Sequence, residues 1–229
     1  MNGYRKELKF IVNESLLLDV ENRIKAVMHR DKHQKGDFYR IRSIYLDSPS
    51  KSCYYENLSG IGTREKYRIR IYDCSDAKIS AEIKIRHRET ISKMSADISR
   101  DALESVILGD FHGMGQHFCG NRTLDKYLVK LQGSMYRPEV IVDYERCAYV
   151  YDIGNVRITF DRNVTASREF DRFFDENLLG RPAIEEGKHV LEIKYDEFLP
   201  DEIAGLFPGV LLERDSCSKY ARCVEAMGL

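Results

Sequence analysis

Polar and apolar residues alternate along several stretches of the chain, the period expected of strands with one apolar face. The clearest case is Arg64–Tyr72. There Arg64, Lys66, Arg68 and Arg70 fall on one face, and Tyr67, Ile69 and Ile71 on the other. Ala81–Arg88 sets Glu82, Lys84, Arg86 and Arg88 against Ala81, Ile83 and Ile85. Arg5–Val12 sets Arg5, Glu7 and Lys9 against Leu8 and Phe10. Val156–Val164 opposes Arg157, Thr159 and Asp161 to Val156, Ile158 and Phe160, and Val190–Tyr195 opposes Glu192 and Lys194 to Leu191, Ile193 and Tyr195, with Asp196 continuing the polar face. Phe38–Asp47, Ile91–Ile98 and Glu139–Tyr151 complete the predicted strands, and Tyr144 and Arg146 share a face of the last.

Helical spacing appears in Glu14–Arg30, where Leu17, Val20, Ile24 and Val27 recur and Asn13 or Ser15 can cap the start. Shorter helices are predicted over Cys53–Leu58, Asp101–Leu108, Arg122–Leu131, Pro200–Leu206 and Ser218–Met227. Strands outnumber βαβ alternations, so the expected class is α+β with a largely antiparallel sheet. No repeat or Pro/Gly/Ser-rich linker divides the chain, and residues 1–229 read as one domain.

Charge changes this picture. Lys plus Arg number 36 and Asp plus Glu 37, so the net charge is −1 and a protein that coats nucleic acid is disfavoured. The cations are nevertheless gathered. The polar strand faces hold Arg5, Lys9, Arg64, Lys66, Arg68, Arg70, Lys84, Arg86, Arg88, Arg146, Arg157 and Lys194, against Glu7, Glu82, Asp161, Glu192 and Asp196. A solvated face mixes signs, because like charges on neighbouring strands repel. A near-neutral chain that collects cations on one surface is built to hold an anion. If the sheet curls into a barrel, these faces line a basic channel. Arg forks and Lys point charges suit phosphate, and the few carboxylates suit a hard divalent cation bridging phosphate oxygens.

Other chemistries find less support. Six scattered cysteines without a C-x-x-C pair read as reduced thiols. His29 with His33, and His112 with His117 and Cys119, lack the further ligands a metal site needs. No apolar stretch is long enough to span a bilayer and no apolar h-region follows the N-terminus, which leads to an expectation of the cytoplasm.

The order RKELKF, YRIRSIYLDS, REKYRIRIY, AEIKIR, DYERCAY, VRITFD, LEIKYD and SKY, from Arg5 to about Tyr220, resembles the VTC-type polyphosphate polymerase domain of the triphosphate tunnel metalloenzyme superfamily. The resemblance implies an antiparallel β tunnel that binds a triphosphate. It implies phosphate-holding bases at Lys9, Arg68, Arg70, Lys84, Arg146, Arg157, Lys194 and Lys219, and a metal carboxylate at Glu192, with Glu82 and Glu7 as further metal candidates. Ser218 matches the serine beside the family's C-terminal lysine. Arg5, Lys66 and Arg86, on the same faces, are additional candidates to bind substrate. The implied reaction moves the γ-phosphoryl of ATP onto inorganic polyphosphate with Mn2+ or Mg2+. A metal-dependent triphosphatase and a non-catalytic polyphosphate-binding module are the alternatives, and a separate membrane partner that removes the product stays open. Two departures bear on the choice. The Glu-x-Glu-x-Lys opening of hydrolytic tunnel enzymes reads here as Arg5, Glu7 and Lys9, which favours the polymerase branch. Ser216 stands where a yeast-type polymerase has a basic residue, removing one expected chain contact.

Overall fold

The computed structural model describes residues 5–88, 90–118, 120–207 and 217–228. The elements run β1 (Arg5–Asn13), α1 (Glu14–Lys25), β2 (His29–Arg30), β3 (Tyr39–Asp47), α2 (Ser52–Leu58), β4 (Thr63–Tyr72), β5 (Ser75–His87), β6 (Thr90–Ile98), α3 (Arg100–Leu108), α4 (Phe111–His117), α5 (Arg122–Gly133), β7 (Arg137–Tyr151), β8 (Val156–Ser167), β9 (Arg181–Pro182), β10 (Lys188–Tyr195), α6 (Asp201–Ala204) and α7 (Lys219–Ala226). Eight strands pair in the order β7-β3-β4-β5-β6-β1-β10-β8, and β8 returns to β7. The sheet therefore closes on itself, with every pairing antiparallel. Among the described residues, β1 and β6 meet through Arg5 opposite Ile91 and Lys6 opposite Thr90.

Closure follows from the alternation. Each strand turns its apolar face outward, where helices cover it. Ile69, Ile71, Ala81 and Ile83 join the core beneath α2, α3, α5 and α7, with Leu103, Tyr127 and Val224. Val156, Ile158, Phe160, Leu191 and Ile193 form a second core with Leu17, Val20 and Ile24 of α1. Each such Ile, Leu, Val or Phe side chain contributes roughly 1.5–3 kcal/mol by leaving water. The polar faces are left to line the interior.

Three details differ from expectation. The first helix ends at Lys25, because Met28 turns into the core and His29 and Arg30 pair with Val150 and Tyr149 of β7. His29 and His33 thus do not share a helix. Phe111–His117, which none of the expected elements covers, form α4, capped by the Asp110 side chain. A Cβ at Gly113 would stand 2.5 Å from Asp110 Oδ2 and 2.7 Å from Ser105 Oγ, so glycine lets α4 close onto α3. β5 ends at His87, and Arg88 takes a left-handed φ of 55° in the turn, off the polar face expected of it. Ser216 and Cys119 lie outside the described residues.

Candidate functional site

The barrel encloses a cavity of about 1010 Å³. Among the described residues, fourteen basic side chains line it against four carboxylates, Glu7, Glu192, Asp196 and Glu197. Of the residues predicted from sequence, Arg5, Glu7, Lys9, Lys66, Arg68, Arg70, Lys84, Arg86, Arg146, Arg157, Glu192, Lys194, Ser218 and Lys219 are brought together on this lining. Glu82 is not on it. It stands behind the basic layer, 2% exposed.

The register explains the clustering. Lys66 lies opposite Lys84, Arg68 opposite Glu82, Lys9 opposite Glu192 and Glu7 opposite Lys194. Neighbouring strands thus present charges at the same level, and the acids are shared among several cations. Glu82 accepts from Arg68 Nε at 2.8 Å and from Lys93 Nζ at 2.7 Å, with Arg70 3.8 Å away. Burial alone would raise the pKa of Glu82; Arg68, Arg70 and Lys93 outweigh it and hold the carboxyl well below its usual range. Glu7 accepts from Lys84 Nζ at 2.9 and 3.0 Å and lies 3.6 Å from Lys194. Glu192 sits 2.9 Å from Lys194 and 3.5 Å from Arg146. Asp161, fully buried, takes a two-pronged pair from Arg146 at 2.6 and 2.7 Å and an ion pair from Lys219 at 2.5 Å. Burial, outweighed by Lys194 and Lys9, leaves Glu192 well below the ordinary carboxylate value.

The lysines respond in opposite ways. Lys219 is raised, since Asp161 and Glu192 overcome its burial. Lys84 is lowered to about 7 by burial, against the pull of Glu7 and with the repulsion of Lys9 and Lys194. Lys66 is lowered well below its usual value by burial and then by Lys9, Lys84 and Arg64.

The tunnel ends differ. At one, α7 begins inside the barrel: Lys9 Nζ donates to the Cys217 carbonyl at 3.2 Å and Lys66 Nζ to Ser218 Oγ at 2.7 Å. At the other, Tyr39 and Tyr72 approach with ring centroids 6.2 Å apart, and Arg157 donates to Tyr39 Oη while pairing with Asp31 at 2.9 Å.

Sequence reasoning missed the tyrosines and Lys93. Arg68 donates to Tyr45 Oη at 2.9 Å and Arg70 to Tyr144 Oη at 3.3 Å. Arg146 and Lys219 sit over the Tyr144 ring at 5.2 and 5.1 Å from its centroid. These rings brace the cations from strands whose mixed composition hides the period. Lys93 was obscured because its face of β6 also carries Ile91 and Ser95, which break the charged pattern.

No three His, Cys, Asp or Glu side chains meet as a metal cluster among the described residues. Glu7 and Glu192 nevertheless stand on either side of Lys194, 3.6 and 2.9 Å from its Nζ. One or two carboxylates completed by substrate oxygens suit Mg2+ or Mn2+, so the donor set fits such an ion.

A closed antiparallel barrel with this cationic interior defines a triphosphate-tunnel protein. The chain belongs to the VTC domain family, whose model matches residues 4–228. Among solved structures, a Bacillus halodurans protein described as a candidate adenylate cyclase shares the fold at a TM-score of 0.51 and 14% identity, over 91% of this chain and 88% of that one. The PH1819 protein of Pyrococcus horikoshii OT3 aligns with a TM-score of 0.49 and 17% identity, over 97% and 99%. No curated protein matches the sequence.

Proposed function

We propose that this chain is a polyphosphate polymerase that transfers the γ-phosphoryl of ATP to a growing inorganic polyphosphate. The observation that carries the reading is the excess of fourteen basic lining side chains over four carboxylates, in a chain whose net charge is −1. Such a lining suits a run of phosphates better than a single one. Phosphoryl transfer asks for alignment and charge stabilisation more than for covalent groups. Arg68, Arg70, Arg146 and Arg157 hold successive phosphates, their guanidinium groups oriented by Glu82, Tyr144, Asp161 and Asp31. Lys9, Lys84, Lys194 and Lys219 neutralise oxygens around the transferring group. Lys66, Ser218, Arg5 and Arg86 extend the binding surface toward the ends.

Glu192, with Glu7 beside it, would hold a divalent ion, which when bound supplies positive charge to the phosphate oxygens. Glu82, already committed to Arg68 and Lys93, is assigned to orientation instead. The terminal phosphate of the acceptor is already anionic, so this transfer requires no dedicated base. The polymerase reading is preferred to hydrolysis because Arg5 replaces an opening carboxylate and pairs with Asp196 at 3.0 Å. The cytoplasm as location and a separate membrane partner for the product belong to the same proposal.

Incubation with ATP and Mn2+ or Mg2+, with products resolved by gel, tests it. Long polyphosphate with ADP is expected. Free phosphate alone would make the chain a triphosphatase, and binding without turnover would make it a polyphosphate-binding module.

A further inference from the structure

The two mouths of the tunnel differ in how their cations are paired. Among the described residues, every basic side chain on the lining forms an ion pair except Lys6, Arg64, Lys66 and Arg86. Three of these four adjoin one another. Arg64 of β4 stands directly opposite Arg86 of β5, and Lys66, one step inward on the same face, stands opposite Lys84. Lys66 meets only neutral oxygens, Asn57 Oδ1 and Ser218 Oγ, both at 2.7 Å, so the group lies at the end where α7 enters.

Like charges that face each other across a strand pair are destabilising. Burial and then Arg86 lower the pKa of Arg64, and Glu56 of α2 offsets only part of this. The two arginines are nonetheless held in place. Arg64 donates through Nη1 to the Ile61 carbonyl at 2.5 Å, and Arg86 through Nε to the Arg88 carbonyl at 2.8 Å. Each keeps further N–H donors for another acceptor. The other mouth is unlike this one. There Arg5 pairs with Asp196 at 3.0 Å and Arg157 with Asp31 at 2.9 Å, and Glu197 lines the cavity. A polyanion passing that way meets carboxylates, whereas past Arg64 and Arg86 it meets cations that lack a partner.

We infer that Arg64 and Arg86, with Lys66 behind them, form an exit subsite that holds the polyphosphate chain beyond the transfer site. The polymer then grows out past the start of β4 and the end of β5, not past Asp196. The inference rests on the polymerase reading above. The guanidinium forks engage successive phosphates as the chain emerges and relieve their own repulsion in doing so. A chain held there dissociates more slowly between transfers, so the subsite lengthens the product.

The test compares Arg64→Gln, Arg86→Gln and the double variant with Lys6→Gln. Lys6→Gln removes the unpaired cation of the opposite mouth, where Lys6 donates to the Glu197 carbonyl at 3.1 Å. Calorimetry in metal-free, low-salt buffer measures long-chain polyphosphate and inorganic triphosphate, and gels read the length of polymer made from ATP and Mn2+. Affinity for the long chain should fall on the order of tenfold in each arginine variant. Affinity for triphosphate should fall far less, and the polymer should be shorter. The melting temperature of the anion-free protein should stay level or rise, because a repulsion is removed; a merely structural pair of arginines would lower it. Lys6→Gln should keep the native product length. Equal losses for the two anions, no loss for either, or shortening in Lys6→Gln alone overturns the subsite. A raised KM for ATP with unchanged product length would put the nucleotide at this mouth and overturns it as well. Absence of polymer from the native chain overturns the polymerase reading instead, and the two affinities then still decide whether Arg64 and Arg86 hold a long chain.

Discussion

At the scale of single residues, the acids of the tunnel divide into two kinds, and substitution separates them. Glu192 lies on the lining, where the proposed ion would bind, whereas Glu82 sits behind it. Glu192→Gln keeps the shape and removes the charge. Turnover should fall on the order of a hundredfold or more, and metal-free triphosphate binding should survive or tighten; steady-state rates and calorimetry on the variant check this. Unchanged turnover in a folded variant would remove Glu192 from the metal role.

Glu82→Gln should act on stability instead, leaving Arg68 and Lys93 without a charge partner at a cost of about 3–5 kcal/mol. The pH dependence has a definite sign. Because the folded pKa of Glu82 is depressed, its contribution is fully present above the ordinary carboxylate value of about 4.3 and is lost as pH falls below it. Melting temperature against pH should therefore drop more steeply toward acid for the native chain than for Glu82→Gln. The lysines give a further sign. Lys84, at about 7, and Lys66, also depressed, should take up protons when triphosphate binds. Calorimetry in buffers of different ionisation heat reads that uptake, and Lys66→Met should reduce it.

At the scale of elements, the alternation in β4 was legible because each face was of one kind. Ile69 and Ile71 are fully buried and Arg68 and Arg70 face the cavity, as the period of two required. β3 was legible as a strand but not as a partner in the site, since Tyr39, Ile41, Ser43 and Tyr45 share a face of mixed character. Its other face holds Arg42, completely buried, which no sequence pattern marked. Arg42 pairs with Asp143 of β7 at 2.8 Å and donates to the carbonyls of Phe173 and Asp175 at 2.8 and 2.7 Å. It fastens residues 173–175 to the outside of the barrel. Helix ends were poorly legible for a related reason: Val27 continued the apolar period of α1, but tertiary pairing of His29 and Arg30 ended the helix earlier. Asp143→Ala leaves a buried guanidinium unpaired and should cost about 3–5 kcal/mol in urea unfolding. Replacing both Arg42 and Asp143 with apolar residues should recover part of that loss.

At the scale of the whole molecule, a chain of almost no net charge has sorted its charges by position. Cations converge inside a closed sheet, and the acids placed among them are too few to balance them. This sorting was visible in sequence because β1, β4, β5, β8 and β10 each gather their polar residues on the face that turns inward. The ring order and the entry of α7 into one end were not, since they depend on pairings between distant segments such as β7 with β8 and Lys66 with Ser218. The central claim is that this interior is built for a run of phosphates. Thermal unfolding with inorganic triphosphate and with orthophosphate, in metal-free low-salt buffer, tests it most directly. Triphosphate at a hundredfold excess over its dissociation constant should stabilise by about 2.7 kcal/mol. Orthophosphate at the same concentration should do far less, and Arg68→Ala or Arg146→Ala should weaken the triphosphate effect. No shift with millimolar triphosphate, or equal shifts with the two anions, would contradict the account.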